Sequence, residues 1–131
     1  MFVSNNEIMV FGSNTKGIHG AGSALAAREK HGAQLGVGFG RTGEAFAIPT
    51  KKYIGFMHGR HQFETMTIEE IKPYVDRFII YANEHPELKF HIVKIGCGLA
   101  GHKEELIGPL FQKAPSNCNL PGDWREKYAG N

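Results

Sequence analysis

Short apolar runs and one long helical period mark out this chain. Ile8-Met9-Val10-Phe11, inside the segment Glu7 to Gly12, is a brief apolar run that ends on glycine, which predicts a buried first strand. Ala21 to His31, rich in Ala and Leu, reads as a helix, with Gly32 placed as its C-terminal glycine. Gly36 to Gly40 is too dense in glycine for a strand interior and reads as a turn or loop. Ala45 to Pro49 predicts a second buried strand, with Lys51 just beyond its end. Residues 53–66 show no clean period and read as an irregular connection.

Thr67-Ile68-Glu69-Glu70 has capping-box spacing. Ile68, Ile71, Val75, Phe78, Ile79 and Ala82 then recur on one helical face, which predicts a helix ending near His85-Pro86, with Pro73 placed to kink its start. Phe90 to Ile95 is the next strand, and it runs into Gly96-Cys97-Gly98-Leu99-Ala100-Gly101. His102 to Lys113 reads as a further amphipathic helix bearing Pro109, followed by a short strand around Cys118 to Leu120 and a polar tail holding Trp124. Strand, glycine loop and helix thus occur twice. The order predicts one α/β domain over residues 1–131, a sandwich with a mixed, largely parallel sheet.

Composition narrows the function classes. A hydrophobic share of 41% and a charged share of 21% fit an ordinary globular domain. Seventeen glycines are an excess that points to turns and to close backbone approach to a ligand. The net charge of +2 is spread along the chain and shows no massed nucleic-acid stripe. Cys97 and Cys118 form no CxxC spacing, so a reduced, cytoplasmic protein is expected, with no zinc site, no metal and no cofactor. The first six residues lack the pattern of a signal peptide, and the longest apolar stretch is far short of a membrane span, so no membrane partner is expected.

In open α/β sheets, ligands collect beyond the carboxyl ends of the strands, where helix N-termini present unpaired N–H groups. Three segments end at that edge if the strands are parallel. The first is Gly12-Ser13-Asn14 with the loop Gly17-Ile18-His19-Gly20-Ala21-Gly22, whose glycines let backbone donors approach an anion. The second is Thr50-Lys51-Lys52, and the third is Gly96 to Gly101, a repeat of the anion-cradle logic that would set two helix N-termini around one diphosphate. Each residue also has a plainer reading. The glycine loops serve equally as tight turns, Asn14 as a cap on local backbone, Lys51 and Lys52 as a solvated pair, and Cys97 as a buried structural thiol. His19 and His102 lie in the two loops, either as proton donors or as surface polar groups. Phe39, Tyr53 and Trp124 are candidates to stack on a base or to pack the core.

Val10-Phe11-Gly12-Ser13-Asn14, Gly17 to Gly22, Ala47-Ile48-Pro49-Thr50-Lys51-Lys52 and Ile95 to Gly101 stand in the order and spacing of macrodomain motifs. The chain resembles a macrodomain over residues 8–112. It is most similar to the branch of ADP-ribosyl-glutamate hydrolases and DNA ADP-ribosylation antitoxins, and also to small phage-encoded macrodomain-like proteins. The resemblance implies a three-layer α/β/α sandwich that binds ADP-ribose or a related NAD-derived nucleotide. An ADP-ribosylated protein or nucleic acid would be its partner, and hydrolysis of an ADP-ribosyl linkage its further activity.

By the same resemblance, Asn14 faces the distal ribose, while Gly20, Ala21 and Gly22 line the ribose and diphosphate, beside Ser13, Gly17, His19 and Thr50. Gly96, Cys97, Gly98, Leu99, Ala100 and Gly101 close over the phosphates. Lys51 falls where the branch carries a lysine that attacks the anomeric carbon, with Asn14 as the other catalytic position. That role needs a neutral amine, hence desolvation or a neighbouring cation such as Lys52. Ala100 stands where the hydrolases carry an acidic residue that works with the lysine. The segment before Ile8 leaves no obvious room for the leading strand and the aspartate that commonly selects adenine in macrodomains, so the base is expected to be read differently or not at all. A non-catalytic reader or nucleotide sponge is the alternative, and a protein that takes the terminal nucleotide of a nucleic acid is a third.

Overall fold

Alternating side chains on the central strands divide the core between two faces of one sheet. The computed structural model describes residues 6–98 and 100–129. β1 (Glu7–Asn14) lies between β3 (Ala45–Met57) and β5 (Lys89–Ile92) and is parallel to both, and β6 (Cys118–Asn119) extends the parallel set beyond β5. β2 (Gly40–Thr42) and β4 (Arg60–Thr65) pair antiparallel with β3. The sheet is therefore mixed and largely parallel, as the alternation of elements predicts.

One face is built from large side chains. Ile8, Val10, Phe46, Ile48, Phe90 and Ile92 meet Ile71, Val75, Phe78 and Ala82 of α2 (Ile68–Glu84), together with Phe111 and the wholly buried Trp124. α2 is one helix of 17 residues that runs unbroken through Pro73. On the other face, Phe11, Ala45 and Ala47 pack against Ala27 of α1 (Gly22–Lys30) and Ala33. With alanines on both sides that layer is thin, and it holds α1 close to the sheet. The result is a three-layer α/β/α sandwich. No helix among the described residues is long and apolar enough to cross a membrane.

Several expected elements change shape. The expected irregular connection over residues 53–66 is instead a β-hairpin, since β3 runs for 13 residues and β4 returns along it from Arg60. Lys51 therefore sits within β3, not beyond its end. The turn residues His58 and Gly59 both have positive φ, 56° and 78°, as a two-residue hairpin turn requires. Histidine stands where Asn or Asp would signal such a turn, and a bulge between Tyr53 and Gly55 breaks the alternation of the strand. β5 ends at Ile92, and Ile95 and Gly96 form a turn. The expected helix from His102 to Lys113 shortens to α3 (Glu104–Ile107) and a 3₁₀ turn at Gly108–Phe111 around Pro109. Trp124 opens α4 (Trp124–Lys127) and belongs to the core, with its indole N–H donating to Glu104 at 2.9 Å.

Candidate functional site

A cleft of about 630 Å³ opens at the carboxyl ends of β1 and β5, over the middle of β3 and the first turn of α1. Neighbouring residues on a strand normally point to opposite faces, yet Ser13 and Asn14, and again Thr50 and Lys51, all line it. The register accounts for this. Ser13 pairs with Pro49 and Asn14 with Lys51, so Thr50 is an extra residue in β3, a bulge that turns the end of both strands toward the cleft.

Of the expected residues, Ser13, Asn14, Gly20, Ala21, Gly22, Thr50, Lys51, Gly96, Gly98 and Ala100 line the cleft. Gly17, His19, Cys97 and Gly101 do not, and Leu99 lies outside the described residues. Most of the polar side chains in the wall are already engaged. The Asn14 carboxamide donates to the Ile18 carbonyl at 2.8 Å and accepts the Ile18 N–H at 3.0 Å, which braces the loop that follows β1. The Ser13 hydroxyl donates to the Gly38 carbonyl at 2.9 Å, and Thr50 donates to the Ser13 carbonyl at 3.4 Å.

Gly17 and Gly38 explain why two glycine-rich segments sit together. A Cβ at Gly17 would collide with the backbone of Gly36 and Val37, and one at Gly38 with the Asn14 carbonyl. The Gly36 N–H donates to the Gly17 carbonyl at 2.9 Å and ties the two loops. His19 is carried into the interior by this packing. It is wholly buried, edge-on to Phe11 at 5.2 Å, and neither ring nitrogen has a hydrogen-bond partner. Burial pushes its pKa below the ordinary value. The Val37 backbone, short of hydrogen-bond geometry, pulls the other way, and the Arg28 charge adds to the drop.

The first turn of α1 is open. Its N-cap, Ala21, has extended backbone but no side chain to accept a hydrogen bond, and the turn holds no acidic residue. The N–H groups at Gly22, Ser23 and Ala24 therefore have no intrahelical acceptor, and all three residues line the cleft. The second expected cradle is built differently. The N–H groups of Cys97, Gly101 and His102 are bonded to the carbonyls of Lys94, Gly98 and Gly96, at 3.2, 3.0 and 2.8 Å. α3 begins only at Glu104, is four residues long and carries Glu104 and Glu105 in its first turn, so it offers no second helix terminus to an anion. His102 is spent on the Met66 carbonyl at 2.7 Å.

The charges separate as sharply. Lys52 is held by Glu70 at 2.8 Å and Glu64 at 3.4 Å, so it brings no free cation to Lys51. Those two carboxylates raise the Lys52 pKa by hydrogen bonding. Lys94, a lining residue hidden by the expected longer strand, pairs with Glu104 at 3.1 Å. Hydrogen bonds from Trp124 and then Lys94 hold the Glu104 carboxyl below its usual range. Among the described residues that line the cleft, Lys51 is the cation without an acidic partner, and no lining residue is Asp or Glu. Phe63, within the segment expected to be irregular, also joins the wall. Burial raises the Cys97 thiol above its ordinary pKa, with Glu104 adding to the rise, which is the opposite of an activated thiolate. No cluster of three or more His, Cys, Asp or Glu side chains among the described residues is placed to hold a metal ion.

No family model and no curated protein matches the chain. Two solved structures do. A protein of unknown function from Bacteroides thetaiotaomicron superimposes with a TM-score of 0.55 at 19% identity, over 85% of this chain and 81% of that one. A second crystal structure from Bacteroides thetaiotaomicron gives a TM-score of 0.56 at 17% identity, over 86% of this chain and 83% of that one. The likeness is one of fold. The similarity spans nearly the whole of each chain, so the sandwich as a unit is what they share.

Proposed function

We propose that the chain binds ADP-ribose, or a related NAD-derived nucleotide, in this cleft. The observation that carries the reading is the character of the wall. Among its described residues there is no carboxylate, the uncapped N–H groups of α1 are open, and Lys51 brings a cation without an acidic partner. An anionic diphosphate meets donors and positive charge there and no repulsion. The macrodomain resemblance supports the same ligand, because Asn14, Gly20 to Gly22, Thr50-Lys51 and the Gly96 loop converge on one site. A reducing cytoplasmic setting belongs to the proposal, both cysteines being free thiols.

Binding without turnover is the first reading, as for a reader or a nucleotide sponge. Ala100 lines the cleft where the resembling hydrolases carry an acid, and no other lining carboxylate replaces it. The unpaired Lys51 amine favours one second reading, hydrolysis of an ADP-ribosyl linkage by attack on the anomeric carbon. Isothermal titration with ADP-ribose, with AMP and NAD as controls, tests the first: saturable one-to-one binding is expected, and no heat at millimolar ligand overturns it. Lys51→Ala tests the second. Turnover lost while ADP-ribose binding survives supports the lysine mechanism, and unchanged turnover ends it.

A further inference from the structure

The loop between β1 and α1 turns one polar side chain away from the cleft it builds. Ile18, Gly20 and Ala21 line the cleft, whereas His19 between them is wholly buried. The elements around it meet it without an acid. β1 presents the Phe11 ring, edge-on at 5.2 Å, the segment after α1 presents the Val37 backbone, and α1 adds the charge of Arg28. Among the described residues no carboxylate lies within ion-pair distance of the ring, and neither ring nitrogen has a hydrogen-bond partner. A neutral imidazole tolerates that setting at some cost. An imidazolium with Arg28 nearby and no acceptor does not.

What the ring holds in place is the donor set of the cleft. The open N–H groups at Gly22, Ser23 and Ala24 follow His19 closely, and Gly22 has a positive φ of 59°, so the chain turns sharply between ring and helix. α1 has no N-cap side chain and buries only Ala27, which leaves little else to fix its first turn. Ile18 is braced separately by Asn14, so the segment free to turn begins after it. We propose that His19 is a proton-sensitive latch: neutral, it holds Gly20 to Ala24 in the form that receives an anion, and protonated it leaves its pocket, takes those donors with it and turns binding off. Burial, which pushes its pKa down, sets the release on the acid side of 6.5. The sign is diagnostic. Acid adds positive charge to a protein and by itself strengthens anion binding. A latch that must be neutral makes proton and ligand exclude each other, so affinity falls by up to about tenfold per pH unit below the folded pKa. The effect on the ligand rests on the nucleotide reading above. The release of the loop does not.

Calorimetric titration with ADP-ribose from pH 8 to pH 5 tests it, on the wild type and on His19→Phe, which keeps a ring against Phe11 and takes up no proton. Wild-type affinity is expected to hold at pH 8 and to fall about threefold or more by pH 5. His19→Phe should match the wild type at pH 8, because His19 lies outside the cleft wall, and should change by less than about twofold at pH 5. Amide hydrogen exchange follows the loop without ligand: in acid, residues 17–24 of the wild type should lose protection relative to His19→Phe, while α2 keeps its own. Proton NMR of the His19 ring gives the reciprocal reading in the wild type alone, independent of how the variant folds, since bound ADP-ribose should lower the pH at which the ring titrates. The proposal is overturned by wild-type affinity that is flat or rises towards pH 5, by an equal fall in His19→Phe, or by loop and α2 losing protection together. No ADP-ribose binding at pH 8 with loop release in acid keeps the latch and ends the nucleotide reading. Wild-type binding that survives acid ends the latch alone.

Discussion

The N-termini of α1 and α2 solve the same problem in opposite ways. α2 closes its own first turn: the Thr67 hydroxyl accepts the Glu70 N–H at 3.1 Å, and the Glu70 carboxylate accepts the Thr67 N–H at 2.8 Å. The Lys52 hydrogen bond, then that from Thr67, holds the Glu70 carboxyl below its usual range. α1 has Ala21 at the equivalent position and no acid in its first turn. Their packing differs in the same sense. α2 buries Ile71, Val75, Phe78, Ile79 and Ala82, whereas α1 buries only Ala27. One helix is finished by its own side chains and anchors the fold. The other is held by thin alanine packing and leaves its donors facing the cleft.

The largest effect that would sharpen this contrast lies in the core. Phe78 is wholly buried and touches the rings of Phe46, Phe90 and Phe111. Phe78→Ala should cost about 3–5 kcal/mol in urea unfolding. A loss below about 1 kcal/mol would mean that α2 is not the anchor.

Next in size is the conversion of one terminus into the other. Ala21 has φ −157° and ψ 162°, extended backbone that an N-cap aspartate adopts without strain. Ala21→Asp should raise stability by about 0.5–2 kcal/mol and at the same time reduce ADP-ribose affinity tenfold or more, since its carboxylate takes the donors. Higher stability with unchanged affinity would show that the α1 amides do not hold the ligand. The reverse change, Thr67→Ala, should cost about 1 kcal/mol in thermal or urea unfolding and leave ADP-ribose binding as it was.

The same contrast explains what was legible in the sequence. α2 announces itself, because Thr67 and Glu70 have capping-box spacing and the buried positions keep a strict helical period. The strands Ile8 to Phe11 and Ala45 to Pro49 are legible as well, their alternate residues being buried on both faces of a covered sheet. The placing of Asn14 and Gly96 beyond the ends of neighbouring parallel strands was legible, whereas Lys51 reaches the same cleft from within β3 through a bulge at Thr50. Less visible were features set by tertiary geometry. The hairpin is exposed on much of its surface and interrupted by a bulge, so its period is lost. Lys94 lies in a turn that strand propensity extends through. Glycine content marks the Gly96 loop as an anion cradle, but the N–H groups of Cys97, Gly101 and His102 are taken by the carbonyls of Lys94, Gly98 and Gly96, which only the fold reveals. His19 is buried beside the place where the loop after β1 meets the glycine-rich segment, Gly17 against Gly36 and Val37 and Gly38 against Asn14, segments some twenty residues apart in sequence.

His19 supplies the last and smallest test, and it concerns the weaker helix alone. The imidazole is buried with no hydrogen-bond partner, and its pKa in the folded protein lies below the ordinary 6.5. Below pH 6.5 the unfolded chain therefore takes up a proton that the folded chain refuses. Stability contributed by neutral His19 is fully present above that pH and falls as the pH drops through the folded value. Replacing the ring by Phe keeps an aromatic edge against Phe11 and removes the titrating group, so His19→Phe should flatten this part of the acid limb while leaving stability at pH 8 equal or slightly higher. Urea unfolding from pH 8 to pH 5 measures both. An acid limb of the same slope in wild type and His19→Phe would mean that His19 is not what ties the α1 loop to pH, and the buried, thinly packed side of the comparison would then owe its acid sensitivity to another group.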